Sequence, residues 1–528
     1  MKINKIYFPI ILALGVVAGI GLGMYFNFPN TLVPPQASLE RENKIKLVMS
    51  YIDNQYVDAV DTDSLLNQTI SELLRKLDPH SAFIAAQDVA ESEEEVNGGF
   101  VGVGIEFRIF KDTLTVLKVM ADGPAAKAGV LAGDRIYRAN DNPMYGDSLH
   151  TNDVIAALKG EEDTEVYIEI NRGQPRSYHA LTITRGMVPI KSVSSQLMLD
   201  ERTAYVRLDR FAQTTATEVK NAITTLRQQG AERLVFDLRD NPGGLLTMAN
   251  AVSDQFLARG ELIVFTQNRE LDRVDYEASR EGVFENGDLV ILIDEGSASA
   301  SEIVAGAVQD NDRGWIIGRR SFGKGLVQEE IPLPDGSKMR LTTRRYYTPS
   351  GRSIQKPFKD YDQRYLQNNG YHSSWEDSPQ DSNATYYTTG GREVFGGGGI
   401  LPDVAVAIDT NRDAIVVYHL INLANIQGQA FAYVDGNRKE FSAISQTEFE
   451  KSFEITQDVL DYFFKDNVGR LESLKPSAFE LLKLRIKAYL AYELYNQSAY
   501  QKIYFKADPL INKALEVLNS DTLLLPKP

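Results

Sequence analysis

The sequence predicts a multidomain α/β protein, and three observations carry that expectation. Residues 203–345 alternate stretches of strand and helix character, the order of an α/β layer structure. Ahead of them residues 98–189 read as a small β-rich unit, and roughly the last hundred residues carry helical periodicity. The third observation is size, because 528 residues exceed the ~250–300 that one hydrophobic core can hold. A content of 43% hydrophobic and 24% charged residues is that of a globular chain.

At the N-terminus Lys2 and Lys5 precede Ile6 to Phe26, an uncharged stretch of Ile, Leu, Val, Gly and Ala. As a helix it reaches about 31 Å, enough to cross a bilayer core. The lysines place its leading end in the cytoplasm. Residues 1–28 are therefore expected to be a single-pass anchor in the cytoplasmic membrane, with the rest on the extracytoplasmic, periplasmic side. Gly21-Leu22-Gly23 leaves signal cleavage open as the alternative. Pro29, Pro34 and Pro35 mark a linker.

A helical region is expected over 38–96. Ile45, Val48, Met49, Ile52 and Tyr56 form one face, and a second helix starting at an Asp63 cap carries Leu65, Leu66, Ile70, Leu73 and Leu74. The β-rich unit, 97–188, opens on Val101–Phe107 and adds strands at Thr115–Val119 and Glu165–Ile170, with a helix at Asn152–Leu158.

In the 189–405 region strands are expected at Ala204–Leu208, Leu234–Leu238, Leu289–Ile293 and Trp315–Gly318. Helices at Thr215–Gln228, Leu246–Leu257 and Ala300–Gln309 separate them, and Asp335-Gly336 turns a strand pair near Lys338–Tyr347. Residues 357–398, running into Gly396–Gly399, read as a surface insertion or mobile loop. Over 406–528, Ser477-Ala478-Phe479-Glu480 reads as a capping box ahead of the face Leu482, Ile486, Tyr489 and Leu490.

Composition also excludes functions. A formal charge of -16 argues against a general nucleic-acid role, which needs basic surface. Zero cysteines exclude disulfides, thiolate metal sites and a cysteine nucleophile. The 5 histidines, His80, His150, His179, His372 and His419, lie far in sequence from the serine cluster Ser297-Ala298-Ser299-Ala300-Ser301-Glu302.

That cluster has two readings. Ser299 to Glu302 matches the S-x-x-E capping box of a helix start. A strand, a tight small-residue turn and a helix also expose a nucleophile and aim backbone N–H groups at an oxyanion. Without a nearby histidine the base would be a lysine amine, neutral if burial lowers its pKa.

Gly318 to Lys324 reproduces most of a phosphate-binding loop, but the Ser/Thr that would hold magnesium is missing and Leu326–Ile331 reads as a strand. On a strand, Lys324 and Gln328 would share a face, so Gln328 could orient the amine. Arg239-Asp240-Asn241-Pro242-Gly243-Gly244 is a turn that permits close backbone approach.

Together these strings resemble a family. LRDNPGG, GSASASEIVAGAVQD, SFGKGLVQ and YYTPSGRSIQ are similar to those of the carboxyl-terminal processing peptidases, or tail-specific proteases. LDPHSAF, GPAAKAGVLAGDRI and GGILPDV fit as well, and the likeness spans roughly residues 38–405. It implies a crotonase/Clp-protease-like α/β peptidase core over 189–405, with a PDZ domain inserted at 97–188. By this resemblance Ser299 is the nucleophile, Lys324 its base and Gln328 the third member, with an oxyanion hole from Ala300 and Gly243 or Gly244. Gly102, Val103, Gly104 and Ile105 look like the loop that receives a peptide carboxylate.

The implied protein is a serine endopeptidase needing no metal or cofactor, acting on cell-envelope proteins that bear a free C-terminus. A homo-oligomer or adaptor partner stays open. The rivals are a non-catalytic PDZ scaffold and a nucleotide binder.

Overall fold

The computed structural model describes residues 36–120, 123–172, 177–358, 385–407, 412–465, 471 and 474–520. The expected anchor at 1–28 lies outside them, and among the described residues no helix is long and apolar enough to cross a membrane. The chain divides into two compact units, one ending at Lys76 and one beginning at Leu77.

The first unit holds the helices Gln36–Gln55 and Thr62–Arg75. The second is capped by Asp61, not Asp63. The Asp61 carboxylate accepts the Ser64 N–H at 3.1 Å, which leaves Asp63 inside the first turn, where its charge meets the helix dipole.

The second unit opens with β1 (Ala82–Ile84) and the helix Ala86–Asn97. The β-rich insertion follows, its two ends joined by β2 (Gly99–Gly102). Within it lie β3 (Ile105–Phe110), β4 (Thr113–Val119), β5 (Arg135–Ala139), β6 (Asn142–Pro143), β7 (Glu165–Arg172) and β8 (Ser177–Thr184). β9 (Gly186–Pro189) then pairs antiparallel with β2 to close the stem.

The strand order is β3-β4-β5-β7-β8, with β6 beside β5, so β3 is an edge strand of the described sheet. Leu114, Val116, Ile136, Val166, Ile168 and Ile170 form the core, sealed by Val154 and Leu158 of the Thr151–Leu158 helix. The expected single strand 101–107 breaks at Gly104, whose φ of +77° suits glycine.

The main sheet starts with β10 (Val193–Met198), β11 (Thr203–Leu208) and β12 (Arg233–Asp237). β13 (Leu262–Gln267) and β14 (Arg273–Glu277) belong to a second sheet, and the main sheet continues with β15 (Asp288–Ile293) and β16 (Trp315–Gly318). The hairpin β17 (Leu326–Pro332) and β18 (Lys338–Tyr347) turns at Asp335-Gly336, as expected. A two-stranded ribbon, β19 (Thr385–Tyr387) and β20 (Glu393–Phe395), precedes β21 (Val404–Ala405).

The main sheet runs β10-β11-β12-β15-β16-β21, parallel except for β10, and the second joins β1, β18, β13 and β14 with β17 on β18. The middles of the main sheet's central strands, Leu234–Phe236 and Leu289–Ile293, are apolar because both faces are covered. Phe236, Ile291 and Ile293 pack with the helices Thr215–Gln228, Leu246–Ser253 and Ala300–Asp310. On the other face Tyr205, Val235, Val290 and Leu292 pack with Leu510, Ile511, Ala514 and Val517 of the Pro509–Leu518 helix.

The expected helical region beyond 406 has its own core, including Phe449, Phe463, Leu482 and Ile486. Its closing helix packs on the main sheet instead. The long helix Pro476–Leu494 is capped at Lys475 with Pro476 at N1, so Ser477 is no cap and donates to Asp413 instead. Residues 359–384 of the expected insertion lie outside the description. Gly396–Gly399, expected with it, is a close-packed crossing: a Cβ at Gly399 would sit 2.4 Å from the Ser321 carbonyl, and the following Ile400 is fully buried.

Candidate active site

The serine cluster sits where β15 gives way to the Ala300–Asp310 helix. Ser299 has φ 54° and ψ -111°, a backbone state costing about 1–3 kcal/mol that persists only if neighbours over-determine it. They do. Ser297 Oγ donates to the Leu238 carbonyl at 2.7 Å, and the Asn241 carbonyl accepts from Ala298 N–H and Ser301 Oγ, each at 3.0 Å. Tyr346 OH donates to the Ser299 carbonyl at 3.1 Å.

Ser297 and Ser301 are wholly buried and committed to these bonds, whereas Ser299 is part-exposed. The capping-box arrangement is present too, but its hydrogen bond runs from Ser299 N–H to the Glu302 carboxylate at 2.9 Å.

Glu302 is the hub. Fully buried, it accepts Ser299 N–H and Lys324 N–H through Oε2, both at 2.9 Å. Through Oε1 it accepts Gly323 N–H at 2.7 Å and the Ser321 hydroxyl. One carboxylate thus fixes the backbone of Ser299 and that of Lys324, 25 residues on. Burial nevertheless raises its pKa, against those four bonds.

The Lys324 amine is held below the usual lysine range, first by burial and then by the Arg340 charge, against Glu302 and Asp78. Lys324 lies before β17 begins at Leu326, so strand alternation does not carry from it to Gln328. The β17–β18 register also shifts between Val327 and Gln328. The Gln328 amide donates to Thr342 Oγ1 at 3.3 Å, not to Lys324. No hydrogen bond joins the Ser299 hydroxyl to the Lys324 amine.

The site has contributors that residue-by-residue reading of the sequence missed. β1 pairs with β18 and brings the Asp78-Pro79-His80-Ser81 turn alongside. Ser81 Oγ donates to Asp78 Oδ2 at 2.8 Å and accepts Thr342 N–H at 3.2 Å, which links this turn to the partner of Gln328. Burial works to raise the Asp78 pKa, but bonds from Ser81 and His80 hold it down. The His80 imidazole is pushed down to about 4 by burial and the Lys324 charge, so it is neutral at physiological pH. The string LDPHSAF was a signal for this turn, though no position within it pointed to a role.

Of the two glycines offered as oxyanion donors, Gly243 lies against the serine turn. A Cβ there would be 2.9 Å from both Ser299 Cβ and Ala300 N, and its φ is +102°. Its N–H, however, donates to Asn241 Oδ1 at 2.9 Å. Gly244 N–H and Ala300 N–H donate to none of the described residues, which leaves them as the open pair.

In the insertion, Gly102 ends β2, Ile105 begins β3, and Val103 is buried in the core. The Val103 and Gly104 carbonyls accept Ala125 N–H at 2.8 Å and Met120 N–H at 3.0 Å, anchoring the loop at the start of the edge strand.

Family models match along the chain: peptidase family S41 over residues 202–363, a PDZ domain over 115–172, and a family of unknown function over 416–496. A carboxy-terminal-processing protease of Bartonella bacilliformis is 37% identical over 312 residues, covering 58% of this chain and 71% of that one. The chain belongs to the carboxy-terminal-processing proteases of peptidase family S41. This protease is also similar to a probable CtpA-like serine protease of Staphylococcus aureus, 31% identical over 315 residues, and spans 62% of that protein's length and 59% of its own. Among solved structures, the photosystem II D1 C-terminal processing protease matches at 28% identity and a TM-score of 0.37, over 69% of this chain and 86% of that one.

The protease's buried hub generates a prediction. Glu302→Gln places an amide NH₂ against N–H donors and should cost about 3 kcal/mol of stability, read as a lowered denaturation midpoint. Peptidase activity should fall at least a hundredfold even below the new midpoint. Retained activity would show that the carboxylate does not set the site.

Proposed function

We propose that this serine-type processing protease works through a Ser299–Lys324 dyad. Neutral Lys324 takes the Ser299 proton as the hydroxyl attacks the scissile carbonyl, and the Lys324 ammonium passes that proton to the leaving amine as the C–N bond breaks and the acyl-enzyme forms. The lysine, neutral again, deprotonates a water that attacks the ester, and returns the proton to Ser299 as the acid product leaves. Ala300 and Gly244 N–H groups receive the oxyanion. Substrate must bring hydroxyl and amine into reach. Gln328 acts through Thr342 on the β17–β18 hairpin and moves no proton.

The observation that carries this reading is the Glu302 carboxylate, which grips the backbone of Ser299 and of Lys324 at once, beside an amine whose pKa burial lowers. The PDZ domain would take the substrate's C-terminus as a strand added to the edge of β3, its carboxylate on the Gly102–Ile105 loop. Substrates would be proteins of the cell envelope, reached from an anchor at residues 1–28.

Ser299→Ala and Lys324→Ala should each abolish peptide cleavage with the fold intact by circular dichroism, and Gln328→Ala should lose less. Lys324→Arg should fail too, because a guanidinium stays protonated. In the wild type kcat/KM should rise with pH as Lys324 loses its proton, along a limb below the ordinary lysine value of 10.5. Arg340 lowers that pKa, so Arg340→Gln should move the limb to higher pH. An active Lys324→Arg enzyme, or a limb that Arg340→Gln leaves in place, would remove lysine as the base.

Peptides with a free terminal carboxylate should bind ten- to a hundredfold tighter than their amides, since a charge-assisted hydrogen bond is worth about 1.5–3 kcal/mol. Calorimetry with the Ser299→Ala protein measures this without turnover. Equal affinities would reject recognition of the terminus while leaving the dyad standing.

The intact protein should fractionate with membranes, and a chain lacking residues 1–28 should be soluble and active. A membrane-bound product from that shortened chain would place the anchor elsewhere.

A further inference from the structure

A cavity of about 350 Å³ is lined by Arg345, Ser353, Gln355, Lys356, Phe358 and Tyr386 among others. That volume is in the range of ligand sites. Its wall is continuous with the loop that holds the proposed base. Lys356 N–H donates to the Gly323 carbonyl at 2.9 Å, and Gly325 N–H donates to Gln355 Oε1 at 2.8 Å. The residues on both sides of Lys324 are thus bonded to the cavity lining. Gly396 and Gly397 line it as well, with Gly397 N–H on the Ser353 carbonyl at 2.7 Å.

The electrostatics of this wall are one-sided. β18 carries three arginines near the site. Arg340 pairs with Glu330 at 2.7 Å and Arg344 with Asp272 at 3.3 Å. Arg345, which lines the cavity, pairs with no described carboxylate, and neither does Lys356. Among the described residues, two cations without a carboxylate partner thus line one concavity, which suits it to a negatively charged ligand. A guanidinium also matches a carboxylate through two parallel N–H bonds, with the Lys356 ammonium as a second charge.

We propose that this cavity is a substrate subsite for a carboxylate, carried by an acidic side chain near the scissile bond. Arg345 and Lys356 bind it, and Tyr386 and Phe358 wall the side-chain stem. The Ser299–Lys324 reading supplies only the place of the cavity relative to the scissile bond. The protease would therefore select cleavage sites by local negative charge, separately from any selection by the substrate's end.

The test uses the full chain as Ser299→Ala, so binding is read by fluorescence anisotropy without turnover and without reliance on the dyad. The probes are C-terminally amidated peptides in which a single Glu is walked along an uncharged sequence, each beside its Gln twin. At one position Glu should bind about tenfold tighter than Gln or better, a charge-assisted bond's worth. Arg345→Gln with Lys356→Gln should erase that preference, and Arg345→Glu with Lys356→Glu should turn it toward a Lys-containing peptide.

A Gln twin with a free C-terminus separates the two sources of carboxylate. Its advantage over the amide should survive in the Arg345→Gln, Lys356→Gln protein if a side-chain carboxylate is the ligand here. No Glu preference at any position, or a preference that survives both double substitutions, overturns the subsite. So does a free-terminus advantage that disappears together with the two cations.

Discussion

A buried carboxylate with four donors is the constraint on which the candidate site depends. Glu302 lies in the first turn of the Ala300–Asp310 helix, where the helix dipole already favours negative charge. From there it reaches the Ser299 N–H on its own chain segment and the Gly323 and Lys324 N–H groups on another. Each N–H would be costly to bury unpaired, so one side chain meets three backbone demands together with the Ser321 hydroxyl. The strained Ser299 backbone and the buried Lys324 amine are held in the same act. Burial raises the Glu302 pKa, and the bonds from Ser321, Lys324, Gly323 and Ser299 work against that rise.

The rest of the second unit can be read as support for that arrangement. The parallel sheet delivers β12 and β15 side by side, so the turns after them, one with Gly243-Gly244 and the other with Ser299, meet at the same sheet edge. Covering both faces is what lets those strands carry apolar runs on both sides, and the closing Pro509–Leu518 helix covers one face. The PDZ insertion is gripped from a second side by the helical region. Arg135 pairs with Asp435 at 2.5 Å, the Lys118 ammonium sits 3.5 Å over the Tyr492 ring, and Phe110 meets Phe431 edge-on at 5.4 Å. These contacts reach β3, β4 and β5, while the outer edge of β3 carries no described strand.

Much of the core was legible because its periods are strong. Thr215–Gln228 was read to the residue, and the strands at 204–208, 234–238, 289–293 and 315–318 each fell within one residue of their observed ends. Local polar competition defeated the finer readings. Asp61 outcompetes Asp63 as a cap, Pro476 starts a helix that Ser477 was expected to cap, and Gly104 breaks a run whose alternation looked continuous. The glycines at 396–399 misled because glycine serves a loose loop and a close backbone crossing equally well, and composition does not separate the two.

At the site, the sequence by itself determined the chemistry on offer: a serine in a small-residue turn, no cysteine, no histidine nearby along the chain, and a lysine 25 residues on. Tertiary structure decided what each group faces. It buried Ser297 and Ser301 and left Ser299 part-exposed, closed Gly243 N–H on Asn241 so that Gly244 stays open, and turned Gln328 to Thr342. It also carried His80 and Asp78 across more than two hundred residues to the neighbourhood of Lys324. The physical reason is that residue type and short-range spacing set which bonds a group can make. Which bonds it does make depends on burial and on partners brought in by strand pairing, and neither is encoded within reach of a local pattern.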